Sequence, residues 1–262
     1  MNGIQTEALI LRAVDFGESD RILHLLIPES GRLTAIAKGA RRSVRRFSGT
    51  LDLFNHLRVA VDLRRPTTMA RLDQARLIEA FDSLRVDPAR FGLGCYLLEI
   101  FDRLAPDGGS PADMKRLFSF ALDALRAIAV REPDARLRTL LELRAFDALG
   151  LRPELRRCVR CGESAESGGE RVAFHVADGG TVCDRCGVRL DSLLRVHLGT
   201  LRALEQGLRF DFDRLDRLGM GHRTLTEAQE LMSRFQRFHI GVELRSERFL
   251  DRILQEGAAA RV

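Results

Sequence analysis

Four cysteines, Cys158, Cys161, Cys183 and Cys186, spell C-x-x-C, twenty-one residues, C-x-x-C. Each C-x-x-C turn directs two thiolates at one ion. The segment between the pairs is long enough to bring the second pair round, so the spacing predicts a tetrathiolate site for one structural Zn2+. Four sulfurs leave no coordination position for water or substrate, and such a site holds a fold together without catalysing. A redox C-x-x-C comes singly, after a strand and opening a helix, whereas here the motif occurs twice in a segment rich in Gly, Ser and charge. Two disulfides in a secreted domain would need a leader, and Glu7, Arg12, Asp15, Glu18 and Asp20 interrupt the start while the apolar run Ala8 to Leu11 is too short. Cys95, in the apolar stretch Phe91 to Phe101, reads as a small buried hydrophobe.

With function placed outside the cysteine module, length and charge narrow the search. A chain of 262 residues suggests two or so domains at about 150 residues each. No apolar run reaches the roughly 20 residues of a membrane helix, and a cytoplasmic protein is expected. The net charge of +5 is unevenly spread: residues 1–80 hold thirteen basic against nine acidic side chains, and the remainder nearly cancels. Lys38, Arg41, Arg42, Arg45 and Arg46 fall within nine residues that contain no acid. Forty of the 42 basic residues are arginine, so an Arg-rich solvated loop is the plain reading of this run. Elsewhere, however, arginines alternate with acids, as in Arg214-Leu-Asp-Arg217. A run this dense repels itself unless an anion neutralises it, and Gly39 and Gly49 mark a flexible loop able to follow a phosphate backbone.

Periodicity indicates what carries the loop. Glu7–Val14, Arg21–Ile27 and Arg32–Ala37 read as strands with a turn at Pro28-Glu-Ser-Gly31. Leu57–Leu63 alternates, and Arg71–Phe81 supplies a fifth strand or a strand-to-helix passage. Five short strands in about 80 residues suit a small closed barrel, the OB-fold, which holds oligonucleotides. From Pro88 the period becomes helical. Helices are expected over Ala89–Leu104, from Pro111 (capped by Ser110) to the break at Pro133, and over Ala135–Leu149 between an Asp134 cap and Gly150. Beyond the cysteines come Leu193–Gln206, Thr226–His239 with a capping box at Thr224-Leu-Thr-Glu227, and Ser246–Leu254. The expected class is α+β: an N-terminal OB-fold DNA-binding domain over 1–82, an all-α domain over 83–155 and 190–255, and a four-cysteine zinc-finger module inserted at 156–189.

This order of parts resembles the RecO family of recombination mediators. The likeness rests on Thr6-Glu-Ala-Leu-Ile-Leu-Arg12 with Gly17-Glu-Ser-Asp20, on Ser30-Gly-Arg-Leu-Thr34 and Lys38-Gly-Ala-Arg-Arg42, and on the C-x-x-C pairs; it extends over essentially the whole chain. The resemblance implies a cytoplasmic, nucleoid-associated DNA repair protein that binds single- and double-stranded DNA and anneals complementary strands. It also implies work with RecR to load RecA on DNA coated with single-strand-binding protein, whose acidic C-terminal tail it binds. Carried over to the matched motif, DNA contact falls on Lys38, Arg41 and Arg42, and charge adds Arg45 and Arg46. The chain has no Trp, and its one Tyr, Tyr96, lies outside the barrel. Stacking platforms are therefore limited to phenylalanines such as Phe16, Phe47 and Phe54, which are more often core, and the expected binding is largely electrostatic, tolerant of sequence and salt-sensitive.

Other classes fare worse. The sequence has no G-x-x-x-x-G-K-S/T, H-E-x-x-H or G-x-S-x-G, and no acidic cluster of the two-metal kind, which disfavours an enzyme. His24, His56, His175, His197, His222 and His239 are scattered; His24 and His56 read as packed or surface residues, and His175 at most as a substitute ligand. The alternative to a DNA-binding mediator is an interaction adaptor without DNA affinity. For that role the segment 111–149 offers Arg116, Arg126, Arg136, Arg138 and Arg144 beside Leu and Phe.

Overall fold

A computed structural model describes residues 3–43, 45–47, 49–63 and 69–259. Five strands, β1 (Gly3–Phe16), β2 (Asp20–Ile27), β3 (Gly31–Ala37), β4 (Asn55–Asp62) and β5 (Ala70–Ala80), close into a barrel in the order β1-β2-β3-β5-β4. Their period-2 pattern places Ala8, Ile10, Leu23, Leu25, Leu57 and Val59 in one buried cluster. The long β1 serves two neighbours: Gly3–Leu9 pairs with β4 and Leu9–Phe16 with β2, and an irregularity between Ile10 and Arg12 lets the strand bend between them. A short parallel pairing, Ala35 with Ala70 and Ile36 with Arg71, completes the closure. From the segment between β3 and β4, Phe47 and Leu51 join the barrel core.

Three helices follow: α1 (Asp82–Val86), α2 (Pro88–Leu104) and α3 (Pro111–Val130). Asp87 caps α2 by accepting the Arg90 N–H at 2.8 Å, with Pro88 preset at the first helical position. Ser110 holds the cap position of α3, but its hydroxyl accepts no capping hydrogen bond; Pro111 sets the start. The helices are fastened to the barrel. Buried Asp102 of α2 meets His24 Nδ1 at 2.5 Å, and Arg32 of β3 donates to the Asp102 carbonyl at 2.9 Å and to Asp107 at 2.8 and 3.1 Å. The expected turn at Gly31 is part of this join: φ is +78°, and a Cβ there would lie 2.4 Å from the Pro106 carbonyl oxygen, so only glycine fits.

Backbone proximity therefore divides the chain near residue 133, with α1–α3 on the barrel's side: one compact unit is Met1–Glu132 with Ser246–Ile253, the other Pro133–Arg245 with Leu254–Val262. The second unit holds α4 (Ala135–Ala148), a three-stranded sheet of β6 (Arg171–His175), β7 (Gly180–Val182) and β8 (Leu194–His197), then α5 (Asp184–Gly187), α6 (Leu198–Arg209) and α7 (His222–Ile240). The last helix, α8 (Arg245–Ala259), contributes Ser246–Ile253 to the first unit, where Glu99 accepts both the Ser246 N–H and its hydroxyl.

Asp134 caps α4 through the Leu137 N–H at 2.6 Å, and Gly150 beyond its end has φ +79°, both as the sequence predicts. Two expectations are corrected. The helix expected from Leu193 begins at Leu198, because Leu194 and Val196 alternate with exposed Arg195 and pair as β8 with β6. Thr224-Leu-Thr-Glu227 is no capping box: α7 already begins at His222 after Gly221. Glu227 instead accepts the His197 N–H at 3.0 Å, the Thr200 hydroxyl at 2.7 Å and a hydrogen bond with His197 Nδ1.

Candidate functional site

The cysteines converge. Their four Sγ atoms lie within 4.8 Å of one another, with Cys161 and Cys183 3.6 Å apart, and Cys158 is buried. Two tight turns aim them. Gly162 donates its N–H to the Cys158 carbonyl at 2.8 Å, Cys158 donates to Glu163 at 2.7 Å, and in α5 Gly187 donates to Cys183 at 2.9 Å. The β6–β7 hairpin carries the chain back between the pairs, and Val159 N–H to Thr181 O at 2.9 Å ties the first turn to β7.

Electrostatics suits a cation at the centre. Burial raises the Cys158 thiol, but N–H groups of Cys183, Arg160 and Cys161 outweigh it and bring it down to about 6. The Cys186 N–H lowers Cys183, yet burial and the neighbouring sulfurs push it up to about 12. Four sulfurs this close do not all ionise unless a positive ion replaces the protons. Thiolates about 2.3 Å from one tetrahedral ion stand about 3.8 Å apart, which this donor set accommodates. His175 is not part of it; its Nδ1 faces Asp178 at 3.2 Å.

Cys95, by contrast, is half-buried in α2, and burial with help from Glu99 pushes its thiol up to about 12. The remaining ring contacts are structural: His56 Nε2 meets Glu7 at 2.9 Å, and His239, lowered by burial, packs 4.3 Å from the Phe235 ring.

Lys38, Arg41, Arg42, Arg45 and Arg46 lie in turns after β3, and all five are exposed. The run has no acid in sequence, but the fold supplies some from the end of β1 and the turn after it: Arg41 Nε lies 3.5 Å from Asp15 and Arg42 Nη2 3.6 Å from Glu18. Asp20 accepts the Gly39 N–H at 2.7 Å, and the Arg41 N–H donates to the Ser19 carbonyl at 3.0 Å, so the two loops run side by side. Among the described residues, Lys38 and Arg45 make no ion pair.

Arg46 does something different from the others. Its guanidinium donates to the Lys38 carbonyl at 2.7 Å and covers the Phe47 ring at 5.0 Å, while its carbonyl accepts the Ala75 N–H at 3.2 Å. It clamps the loop. Beside it, Arg21, Arg41, Arg42, Phe47 and Asp52 border a recess of about 450 Å³. Sequence reasoning missed Arg21, whose position opposite Asp15 in the β1–β2 pairing brings it beneath the loop.

In the second unit, another recess of about 310 Å³ has Leu155 and Leu201 at its floor and Arg156, Arg157, Arg202 and Arg209 at its rim. Several helical arginines weighed for an interaction role are already engaged: Arg126 with Glu79 at 2.7 Å, Arg136 with Asp216 at 3.8 Å, and Arg144 with the Phe210 carbonyl at 2.8 Å.

Comparison with known proteins agrees with this architecture. Residues 1–81 match the family model for the Recombination protein O N terminal and residues 85–248 that for the Recombination protein O C terminal. The chain is 36% identical to DNA repair protein RecO of Anaeromyxobacter sp. (strain K) over 97% of its own length and 98% of the relative's. It is 34% identical to that of Myxococcus xanthus, over 97% and 99%, and 33% identical to that of Syntrophobacter fumaroxidans, over 95% and 98%. With an OB-fold barrel at its N-terminus and four clustered cysteines in its C-terminal part, the chain belongs to the RecO family of DNA repair proteins.

Proposed function

We propose that this chain is a DNA-binding recombination mediator that acts without catalytic chemistry of its own. The observation that carries the reading is the exposed group Lys38, Arg41, Arg42 and Arg45 beside a closed barrel, with Arg46 holding the loop in place. These cations contact phosphates and read no base edges, so both single strands and duplexes are ligands. Annealing follows from charge: complementary strands repel through their phosphates, and one surface that neutralises both raises their local concentration. Family membership supports the partners: RecR, the acidic tail of single-strand-binding protein, and through them RecA loading. In this reading residues 1–82 are the DNA-binding module, 83–155 and 190–255 the helical body and 156–189 the metal module. On the same reading, which rests on family membership, the protein works in the cytoplasm at the nucleoid; no described helix is long and apolar enough to cross a membrane.

The ion is Zn2+, which four thiolates select, and it closes the module without an open position for chemistry. An adaptor reading also has an observation in its favour: a recess with an apolar floor carries Arg156 and Arg157 at its rim, beside Arg202 and Arg209 that pair with Glu166 and Glu205 at 2.9 Å each, and an acidic peptide would engage the first two. Binding of labelled single-stranded and duplex DNA across a salt series separates the two. The mediator binds both at low salt, with log K falling linearly against log salt; a chain that gave no shift at low salt while capturing an acidic peptide would be an adaptor.

A further inference from the structure

The phenylalanines near the basic loop do not share one fate. Phe47 is 4% exposed and Phe54 0%, both committed to packing, whereas Phe16 at the end of β1 is 53% exposed. Its direction follows from the pleat. Ala13 packs on the barrel core, so Val14 and Phe16 face outward, as do Ile22 and Ile36, which alternate with inward Leu23, Ala35 and Ala37. Val14 lies opposite Ile22, and Ile22 opposite Ile36, so the outer surface carries a short apolar band that ends at Phe16.

That end lies beside the cationic loop. Phe16 is the cross-strand partner of Asp20, and Asp20 binds the Gly39 N–H at 2.7 Å, which brings Lys38 alongside. On the other face of the strand Asp15 pairs with Arg41 at 3.5 Å, and in the turn that follows Glu18 pairs with Arg42 at 3.6 Å, so the arginines border the end of β1 that carries the ring. An exposed aromatic ring beside a cationic loop fits a ligand that presents a flat apolar face and a negative backbone together. Unpaired nucleotides do so; duplex DNA keeps its base faces stacked inside.

We infer that Phe16 is a stacking platform for an unpaired base of a strand whose phosphates are held by Lys38, Arg41 and Arg42, and that it sets a preference for single-stranded over duplex DNA. This rests on the proposed DNA site and adds a specific stacking contact to the largely electrostatic binding expected from the sequence. The arginines supply a salt-dependent attraction common to both forms. Phe16 adds a salt-independent one for exposed bases only.

The test uses the full-length protein, a labelled oligothymidylate and a duplex of equal length, with F16A, F16W and R41A/R42A compared with wild type. Stacking predicts that F16A weakens oligothymidylate binding roughly 5- to 100-fold. Duplex affinity and the salt slope stay unchanged, as does thermal unfolding, because the ring is exposed. F16W restores binding, and as the chain has no other Trp, its emission reports the ring directly: quenching by oligothymidylate is expected.

Four results overturn the inference: an equal loss on both DNAs, no loss on either, Trp emission indifferent to bound oligothymidylate, or intact DNA affinity with loss of a protein partner. Failure of the DNA site itself looks different. If R41A/R42A also binds both DNAs as wild type does, the loop reading falls too; if R41A/R42A loses both while F16A loses neither, stacking alone is refuted. Should F16A fold poorly, the F16W emission still decides.

Discussion

The four-cysteine module and the basic loop are both read from residues that repeat at short spacing, yet the fold treats them in opposite ways. In the module, turns and the β6–β7 hairpin direct four sulfurs to within 4.8 Å of one another, and backbone N–H groups converge on Cys158. In the loop, the cations spread into solvent, and the closest acids are exposed partners at 3.5 and 3.6 Å. A closed donor set satisfies itself and maintains shape. An open set leaves its charge to a ligand. The sequence shows residue type and spacing in both cases, and the geometry adds that one set closes on itself while the other stays open to solvent.

The largest effect should come from removing the closure. Structural zinc contributes on the order of 10 to 16 kcal/mol to folding in small modules, so chelation or Cys158→Ala should loosen the 156–189 module, seen as faster proteolysis within it and a change in far-ultraviolet circular dichroism. Binding of DNA by the barrel loop should persist at a reduced level. Complete loss of DNA affinity on chelation would break the separation between the two regions.

Next in size is neutralisation of the loop. Replacing Arg41, Arg42, Arg45 and Arg46 by Ala should lower affinity for both DNA forms and cut annealing. The slope of log K against log salt should become shallower by about 0.9 for each duplex phosphate that the loop no longer neutralises. Because Arg46 also fastens the loop, R46A alone should raise loop mobility more than R45A does, which hydrogen exchange of the Ala75 amide would detect. Annealing that survived the fourfold change would place the DNA site elsewhere.

A smaller effect separates the regions by pH. The Glu227 carboxylate is held below its ordinary 4.5: burial alone would raise it, but the Thr200 hydroxyl, the His197 ring and the His197 N–H win. A depressed carboxylate contributes stability that is fully present above its unfolded value and is lost as pH falls through the lower folded value. The second unit should therefore lose stability as pH drops below 4.5, and Glu227→Gln should cost about 1 to 3 kcal/mol at neutral pH and flatten that dependence in thermal unfolding. The loop's exposed pairs should leave no comparable signature.

Much of this was legible because periodicity and turn chemistry are local. The five strands, the Asp134 cap, the Gly150 stop and the cysteine quartet all follow from patterns within a few residues. What the sequence hid was long-range. Leu194–His197 becomes a strand only because β6 lies beside it, and Glu227 leaves an apparent capping box because His197 and Thr200 offer it three donors. The acids beside the loop stand more than twenty residues earlier in the chain, so a charge run free of acid in sequence is not free of acid in space. Phe16 likewise lies past the strand expected over Glu7–Val14, and only the extension of β1 to Phe16 and its pleat turn the ring outward.

The smallest effect concerns those two acids and has the opposite sign to the others. Exposed ion pairs contribute only about 0.2 to 1 kcal/mol each, so Asp15→Asn and Glu18→Gln should hardly alter stability. Each acid competes with phosphate for an arginine, however, and lowers the positive potential at the loop. The double variant should bind both DNA forms a few-fold more tightly at low salt, with the advantage fading as salt screens the charges. Weaker binding would mean that Asp15 and Glu18 position Arg41 and Arg42 rather than restrain them, and the loop would then share the preorganised character of the cysteine module.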